Sequence, residues 1–348
     1  MERGTFLSSA DSAVSAFTVV VGVFVAACGG GNSTGPSSTN TSTITRPTGA
    51  FAFRTSPIDP AFIEFIAPLG NLNPPGHTLP TDHIYFYHRL NNPSSPPRVV
   101  VAPADGTIQT IINNGSSSGE RKLFIAAAAP FNYYLDHVVI DPTIREGQSL
   151  TAGQRVGVTG ADAYAIDLGV LNDAVNVPFA NPARYTSESL HGDAPLKYFD
   201  EPNRSQLYGL VRRSSGDRDG TFNYDIPGRL SGNWFWEQLP LAQTQNNANW
   251  SLHLSFAYDN FDPASLRIAS GGFLGFVGAP AVAAGTPAPR DVSPDTGKVI
   301  YHLLFGGGAN ATAVMVVQML DANRIRIEYL SGDRASADFT ANARIYVR

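Results

Sequence analysis

Arg145-Glu-Gly-Gln-Ser-Leu-Thr-Ala-Gly-Gln-Arg-Val-Gly-Val-Thr-Gly160, followed by Ala161-Asp-Ala-Tyr-Ala-Ile-Asp-Leu-Gly-Val170, decides the reading of this chain. Glycines punctuate two short β-type runs, and the stretch ends on an alternating strand, Ala165 to Val170. A strand turns successive side chains to opposite faces, so Ala165 and Asp167 share one. Candidate chemistry is sought on that face.

Working outward, Phe51 onward is rich in short β runs separated by turn signals, with little helical periodicity. Phe131 to Ile140 reads as a strand, and Val99 to Ile108 as two strands about a tight turn at Asp105-Gly106. A short helix is expected around Glu201 to Leu210. Beyond Trp250 come five further strand-like runs, and Ile325, Ile327 and Tyr329 alternate with Arg324, Arg326 and Glu328 as in a sheet with one wet face. Their spacing suits a small sandwich or barrel. The fold class is therefore mainly β, with two β domains in series.

The first residues read as an address. The apolar run Phe17 to Ala27 has signal-peptide length and stops at Val25-Ala26-Ala27-Cys28, the only cysteine in 348 residues. It resembles a bacterial lipobox, which implies lipidation at Cys28; the bland alternative is an ordinary secretory signal with a free thiol. Gly29 to Gly49 is nearly all Gly, Ser, Thr, Asn and Pro, the composition of a flexible tether. The expected organisation is signal and lipobox 1–28, tether 29–50, first domain 51–210, connector 211–245 and second domain 246–348. The expected location is extracytoplasmic, anchored to a bacterial membrane. A net charge of −5 with 15% charged residues offers no basic field for nucleic acid.

Several motifs occur in order: His77 and Asp82; Val101-Ala-Pro-Ala-Asp-Gly-Thr-Ile108; Leu135-Asp136-His137; and the Gly-Gln…Ala-Gly-Gln…Gly run quoted above. Together they resemble the lysostaphin/LytM-type zinc endopeptidases, over roughly residues 70 to 175. The resemblance implies a duplicated-hybrid-motif β domain, a zinc ion, and a peptide or peptidoglycan ligand. In that family a His and an Asp of the first motif and the second His of a late His-x-His hold zinc, and zinc lowers the pKa of bound water to about 7. The first His of that pair and a His on a preceding strand handle protons.

Carried over by position, His77 and Asp82 match the first motif with one extra residue between them, and His137 matches the isolated catalytic His. The late motif departs. It reads Ala165-Ile166-Asp167, so one imidazole is missing and the third ligand has become a carboxylate. Loss of a general base alone costs about 10²–10⁴-fold in rate. The leading expectation is a degenerate domain that binds peptidoglycan or peptide with little or no hydrolysis. The alternatives are an active zinc endopeptidase with a His77/Asp82/Asp167 site, and a structural protein that recruits an envelope partner.

His83 and His88, near Tyr85 and Tyr87, read as exposed or interface strand positions, and His191 beside Asp193 as a surface loop residue or a substitute base. Trp234 and Trp236 share a face if extended, and could stack on sugar rings or pack between domains.

Overall fold

The computed structural model describes residues 44–114 and 118–348. Residues 1–43, which include the stretch read as a signal and lipobox with Cys28 and most of the expected tether, lie outside the described residues. The tether's last residues are docked on the first sheet. Arg46 Nη1 donates to the carbonyls of Ala127 (3.1 Å) and Phe131 (2.9 Å), and Nη2 to Asn132 Oδ1 (2.8 Å). Among the described residues no helix is long and apolar enough to cross a membrane.

The protein is mainly β, in two sheets. The first runs in the order Phe65–Ala67, Ile84–Tyr87, Ala165–Asn172, Phe131–Ile140, Arg121–Ala126, Gly106–Asn113, Ser149–Leu150. The quoted glycine-rich stretch supplies Ser149–Leu150 and Arg155–Thr159, and the latter pairs with Val99–Val101 and with Phe131–Ile140. The expected hairpin at Asp105-Gly106 does not form. Val99–Val101 and Gly106–Asn113 pair with different strands, and Gly106 is needed because a Cβ there would meet Ile125 Cγ2 at 2.2 Å. The core under this sheet includes Phe53, Phe86, Leu123, Ile125, Tyr133 and Leu168.

The second sheet closes on itself as an eight-stranded antiparallel barrel. Round the ring run His253–Tyr258, Gly232–Trp236, Arg344–Val347, Arg324–Ser331, Ala313–Asp321, Lys298–Leu304, Ala281–Val282 and Leu266–Gly271. Closure removes free strand edges. Gly232–Trp236 falls in the stretch read as a connector, yet it is an integral stave, because its glycines hid a run whose side chains alternate into the core. Large side chains fill the interior: Trp234, Phe256, Tyr301, Met315, Ile325, Ile327 and Tyr346. The alternation of the Arg324–Ser331 strand holds except at Glu328, buried because the Thr340 backbone N–H (2.7 Å) and hydroxyl satisfy its carboxylate.

The two modules are joined by polar contacts. Asn260 Nδ2 donates to the Pro68 carbonyl (3.0 Å), and Asn233 Nδ2 to Tyr185 Oη (3.1 Å). Thr78 Oγ1 donates to the Trp250 carbonyl (3.4 Å), which ties the loop carrying His77, Asp82 and His83 to the barrel.

Two buried histidines tune stability with pH. Burial, then the charges of Arg89 and Arg98, push the pKa of His88 down to about 4, and neither ring nitrogen has a hydrogen-bond partner. Burial likewise lowers His253 to about 4, although its Nε2–H donates to the Thr244 carbonyl at 2.9 Å. An unfolded histidine takes up its proton near pH 6.5. Between that pH and about 4 the unfolded chain binds more protons, so stability drops as pH falls through this window. Urea midpoints of wild type and His88→Leu from pH 7.5 to 4.5 check this. The wild type is expected to lose more stability on acidification than the variant, and identical slopes would contradict it.

Candidate functional site

Three antiparallel strands build the site. Tyr85 lies opposite Asp167, and Asp167 opposite Asp136. Directly opposed residues share a face. His83, two residues before Tyr85, and Tyr134, two before Asp136, extend that face, as does Ala165 on the other side. Pairing between Phe131–Ile140 and Ala165–Asn172 stops at Asp136, and pairing with Arg155–Thr159 starts at Val138. The register against Arg121–Ala126 also slips here, between Arg121 and Leu123. His137 sits in this bulge at φ 64°, the positive-φ residue outside glycine among those described. Bulges re-aim side chains, and such backbone costs ~1–3 kcal/mol that the surroundings must offset.

The two imidazoles are held alike. His137 Nδ1–H donates to Glu120 Oε2 at 2.7 Å, and Glu120 is buried and also takes the Ser118 hydroxyl at 2.8 Å. With Glu120 in this position residue 160 has room for glycine alone, because a Cβ would lie 1.7 Å from Glu120 Oε1 and push that side chain off His137. His83 Nδ1 lies 3.0 Å from Asp82 Oδ1, and the other oxygen of Asp82 accepts from Ser189 Oγ at 2.6 Å. Tyr134 Oη donates to Asp82 Oδ1 at 3.1 Å and lies 3.0 Å from His83 Nδ1. The far nitrogens, His83 Nε2 and His137 Nε2, each stand 3.5 Å from Asp167 Oδ2.

Electrostatics follows from burial and these partners. Burial lifts the Asp167 carboxyl above its ordinary range, against the pull of His137 and His83. Burial works to discharge both imidazoles, but at His83 the bond to Asp82 and the charge of Asp167 win and raise its pKa. At His137 the charge of Asp167 and the bond to Glu120 overcome burial and raise it to about 9. Burial and the neighbouring His83 lower His77 to about 3.

Asp167 and His137 thus meet on the floor of an open groove of about 1090 Å³, walled by Tyr85, Tyr87, Tyr164 and the loop from Asn71 to His77. Among the described residues, Asp136, His137 and Asp167 place one ligand atom each within 4.8 Å of one another, so the groove floor has donors for a cation. His77, Asp82 and His83 are outside that group. The His77 ring lies at the groove edge with its centroid 5.6 Å from that of His83 and 6.2 Å from Trp250. Asp82 turns to Ser189, His83 and Tyr134 instead, and the imidazole of His83 bridges Asp82 on one nitrogen and Asp167 on the other. His83 and His88 are buried, at 9% and 2% exposure, not exposed strand positions. His191 caps a four-residue helix and its Nδ1 contacts the Val175 carbonyl at 2.6 Å, away from the groove.

Trp234 is fully buried in the barrel, its Nε1–H on the Leu230 carbonyl at 2.8 Å, and Trp236 packs on Phe273. The shared tryptophan face turns into the core, so Trp234 offers no ring to a sugar. Glu120, Asp136 and Tyr134 were not legible as site residues. The doublet Asp82-His83 ahead of an alternating Tyr85/Tyr87 strand was the one sequence signal for His83.

No family model matches the chain, and no curated protein does. Solved structures do. A zinc-containing peptidase from Vibrio cholerae is similar at 17% identity and TM-score 0.28, over 34% of this chain and 36% of that one. Csd3 of Helicobacter pylori is similar at 14% identity and TM-score 0.30, over 43% and 35%. The SpoIIQ–SpoIIIAH pore-forming complex is similar at 10% identity and TM-score 0.31, over 45% and 96%. The chain spans about a third of the length of the first two. Peptidases of the M23/LytM type recur among these neighbours, the family that the sequence motifs resemble.

Gly169 decides whether Tyr134 can reach the site, since a Cβ there would meet the ring at 2.2 Å. Gly169→Ala is expected to cost about 1–3 kcal/mol in urea unfolding, the usual range for overpacking. Combined with Tyr134→Ala it is expected to cost less than the sum of the two. Strict additivity would mean that the ring is not confined by this glycine.

Proposed function

We propose that this chain is a cell-envelope lipoprotein whose first domain binds peptidoglycan or a peptide in the groove over Asp167, with little or no hydrolysis. The observation that carries this reading is Ala165. It lies opposite Tyr87 on the groove wall, one alternation from Asp167, where a proton-handling imidazole would have to stand. The methyl group handles no proton. Asp82, the carboxylate expected to ligate beside Asp167, is engaged by Ser189 at 2.6 Å and by His83 at 3.0 Å. The groove itself is intact and aromatic: Tyr164 is 51% exposed, and Tyr85 and Tyr87 line the same wall. Such faces suit sugar rings and peptide side chains.

A second reading is a slow zinc endopeptidase. The close group of Asp136, His137 and Asp167 favours it, since imidazole and carboxylate donors suit zinc. Bound there, zinc would supply Lewis acidity.

Co-sedimentation with insoluble peptidoglycan, followed by assay of the supernatant for soluble fragments, separates the two. Saturable binding without fragments is expected, with Tyr164→Ala weakening it about tenfold, the loss of ~1.4 kcal/mol of stacking. Fragment release that disappears in Asp167→Asn would establish the endopeptidase, and absence of binding would overturn the groove assignment.

A further inference from the structure

We propose that a cavity at the seam of the two modules binds a small organic carboxylate, its walls supplied by the segment after the helix Asn203–Leu210 and by the barrel. The cavity measures about 300 Å³, the size of the smaller small-molecule sites, and shares no lining residue with the groove. It is therefore independent of the function proposed above.

A buried cation stands at its wall. The Arg213 side chain is 5% exposed. Its Nε–H donates to the Asp217 carbonyl and its Nη1–H to the Asn260 carbonyl, both at 2.7 Å. The carboxylate of Asp217 stands 3.7 Å from Nη2, beyond hydrogen-bond reach, and is itself 62% exposed. A buried charge needs a close, hydrogen-bonded partner. Two bonds hold the guanidinium still, and its Nη2 edge keeps N–H groups with no acceptor among the described residues.

The rest of the wall has donors to spare, and its own carboxylate is taken. Arg290 is exposed and makes no hydrogen bond or ion pair among the described residues; its Cζ lies 5.9 Å from the centroid of the Tyr258 ring. Asn223 Oδ1 accepts the Asp225 N–H at 2.9 Å, and Asn223 Nδ2 has no acceptor among the described residues. Asp225 spends one oxygen on the Asn233 N–H (2.8 Å) and the other on the Ala180 N–H (2.9 Å), and pairs with neither arginine. A surplus of donors over free acceptors asks for an acceptor-rich, negatively charged ligand.

The arginine fork and the rings narrow the class. A planar guanidinium matches the two oxygens of a carboxylate. Beside it the Tyr224 and Tyr258 rings, with centroids 5.8 Å apart, offer an apolar surface to a carbon body, which an inorganic anion lacks. A sugar acid and the C-terminus of a short peptide share this chemistry.

The test is titration calorimetry on the full chain with glucuronate and with N-acetylglycylglycine, each against its uncharged counterpart, glucose and N-acetylglycylglycinamide. At least one acid is expected to bind, at least about tenfold more tightly than its counterpart, the worth of one charge-assisted hydrogen bond. Which acid binds identifies the source. Arg290→Ala is expected to weaken binding about tenfold without altering the unliganded Tm, since that side chain is exposed. Arg213→Lys, which keeps the charge and loses the fork, is expected to cost at least as much, with circular dichroism to check folding. Tyr164→Ala, on the groove, is expected to change nothing. Equal binding of acid and counterpart would overturn the proposal, as would no binding of either acid up to about 10 mM. So would binding that survives both arginine substitutions or is lost in Tyr164→Ala.

Discussion

Everything at the site depends on one cross-strand register, the one that sets Asp167 between Tyr85 on one side and Asp136 on the other. That register buries a carboxylate, and a buried carboxylate without partners costs several kcal/mol. The fold meets the cost with two imidazoles. His83 arrives from the next strand's entry, His137 from a bulge at positive φ. Each needs its own carboxylate, and the carboxylates need room, which Gly160 provides for Glu120 and Gly169 for the ring of Tyr134. A slip of one residue would turn Asp167 to the opposite face and dissolve the whole arrangement.

The barrel contributes by restraint. Large buried side chains, Trp234, Phe256, Tyr301 and Tyr346 among them, occupy its interior. Its contacts fall on the loop that carries His77, Asp82 and His83, through Thr78 to Trp250 and through Asn260 to Pro68. That loop is tied internally by the Asn73–His77 backbone pair (2.9 and 3.0 Å) and by Gly70 N–H on the Thr81 carbonyl (2.8 Å), and the barrel contacts add to these ties from outside. The accessory module is the brace for one wall of the groove.

Much of this was legible in the sequence, for identifiable reasons. Alternation exposed the Ala165–Asp167 face and the barrel strand of Arg324, and the glycine-rich run marked the first sheet. The loss of an imidazole at Ala165 was equally plain. What failed were inferences that needed register between distant strands. The approach of His83 to Asp167 depends on where two strands about 80 residues apart in sequence meet, and periodicity within one strand is silent on that. The bulge at His137 is of the same kind. Gly232–Trp236 reads as a connector because its glycine signals outweigh its alternation, and of the two readings open for Trp234, stacking on a sugar or packing, the buried ring leaves packing, inside the barrel.

Which side chains converge on Asp167 is read most directly from a crystal structure of protein freed of metal by chelation. Both imidazole Nε2 atoms at about 3.5 Å from Asp167 Oδ2 is the predicted result. Asp167 turned to the opposite face of its strand, or His83 turned away from it, would contradict it.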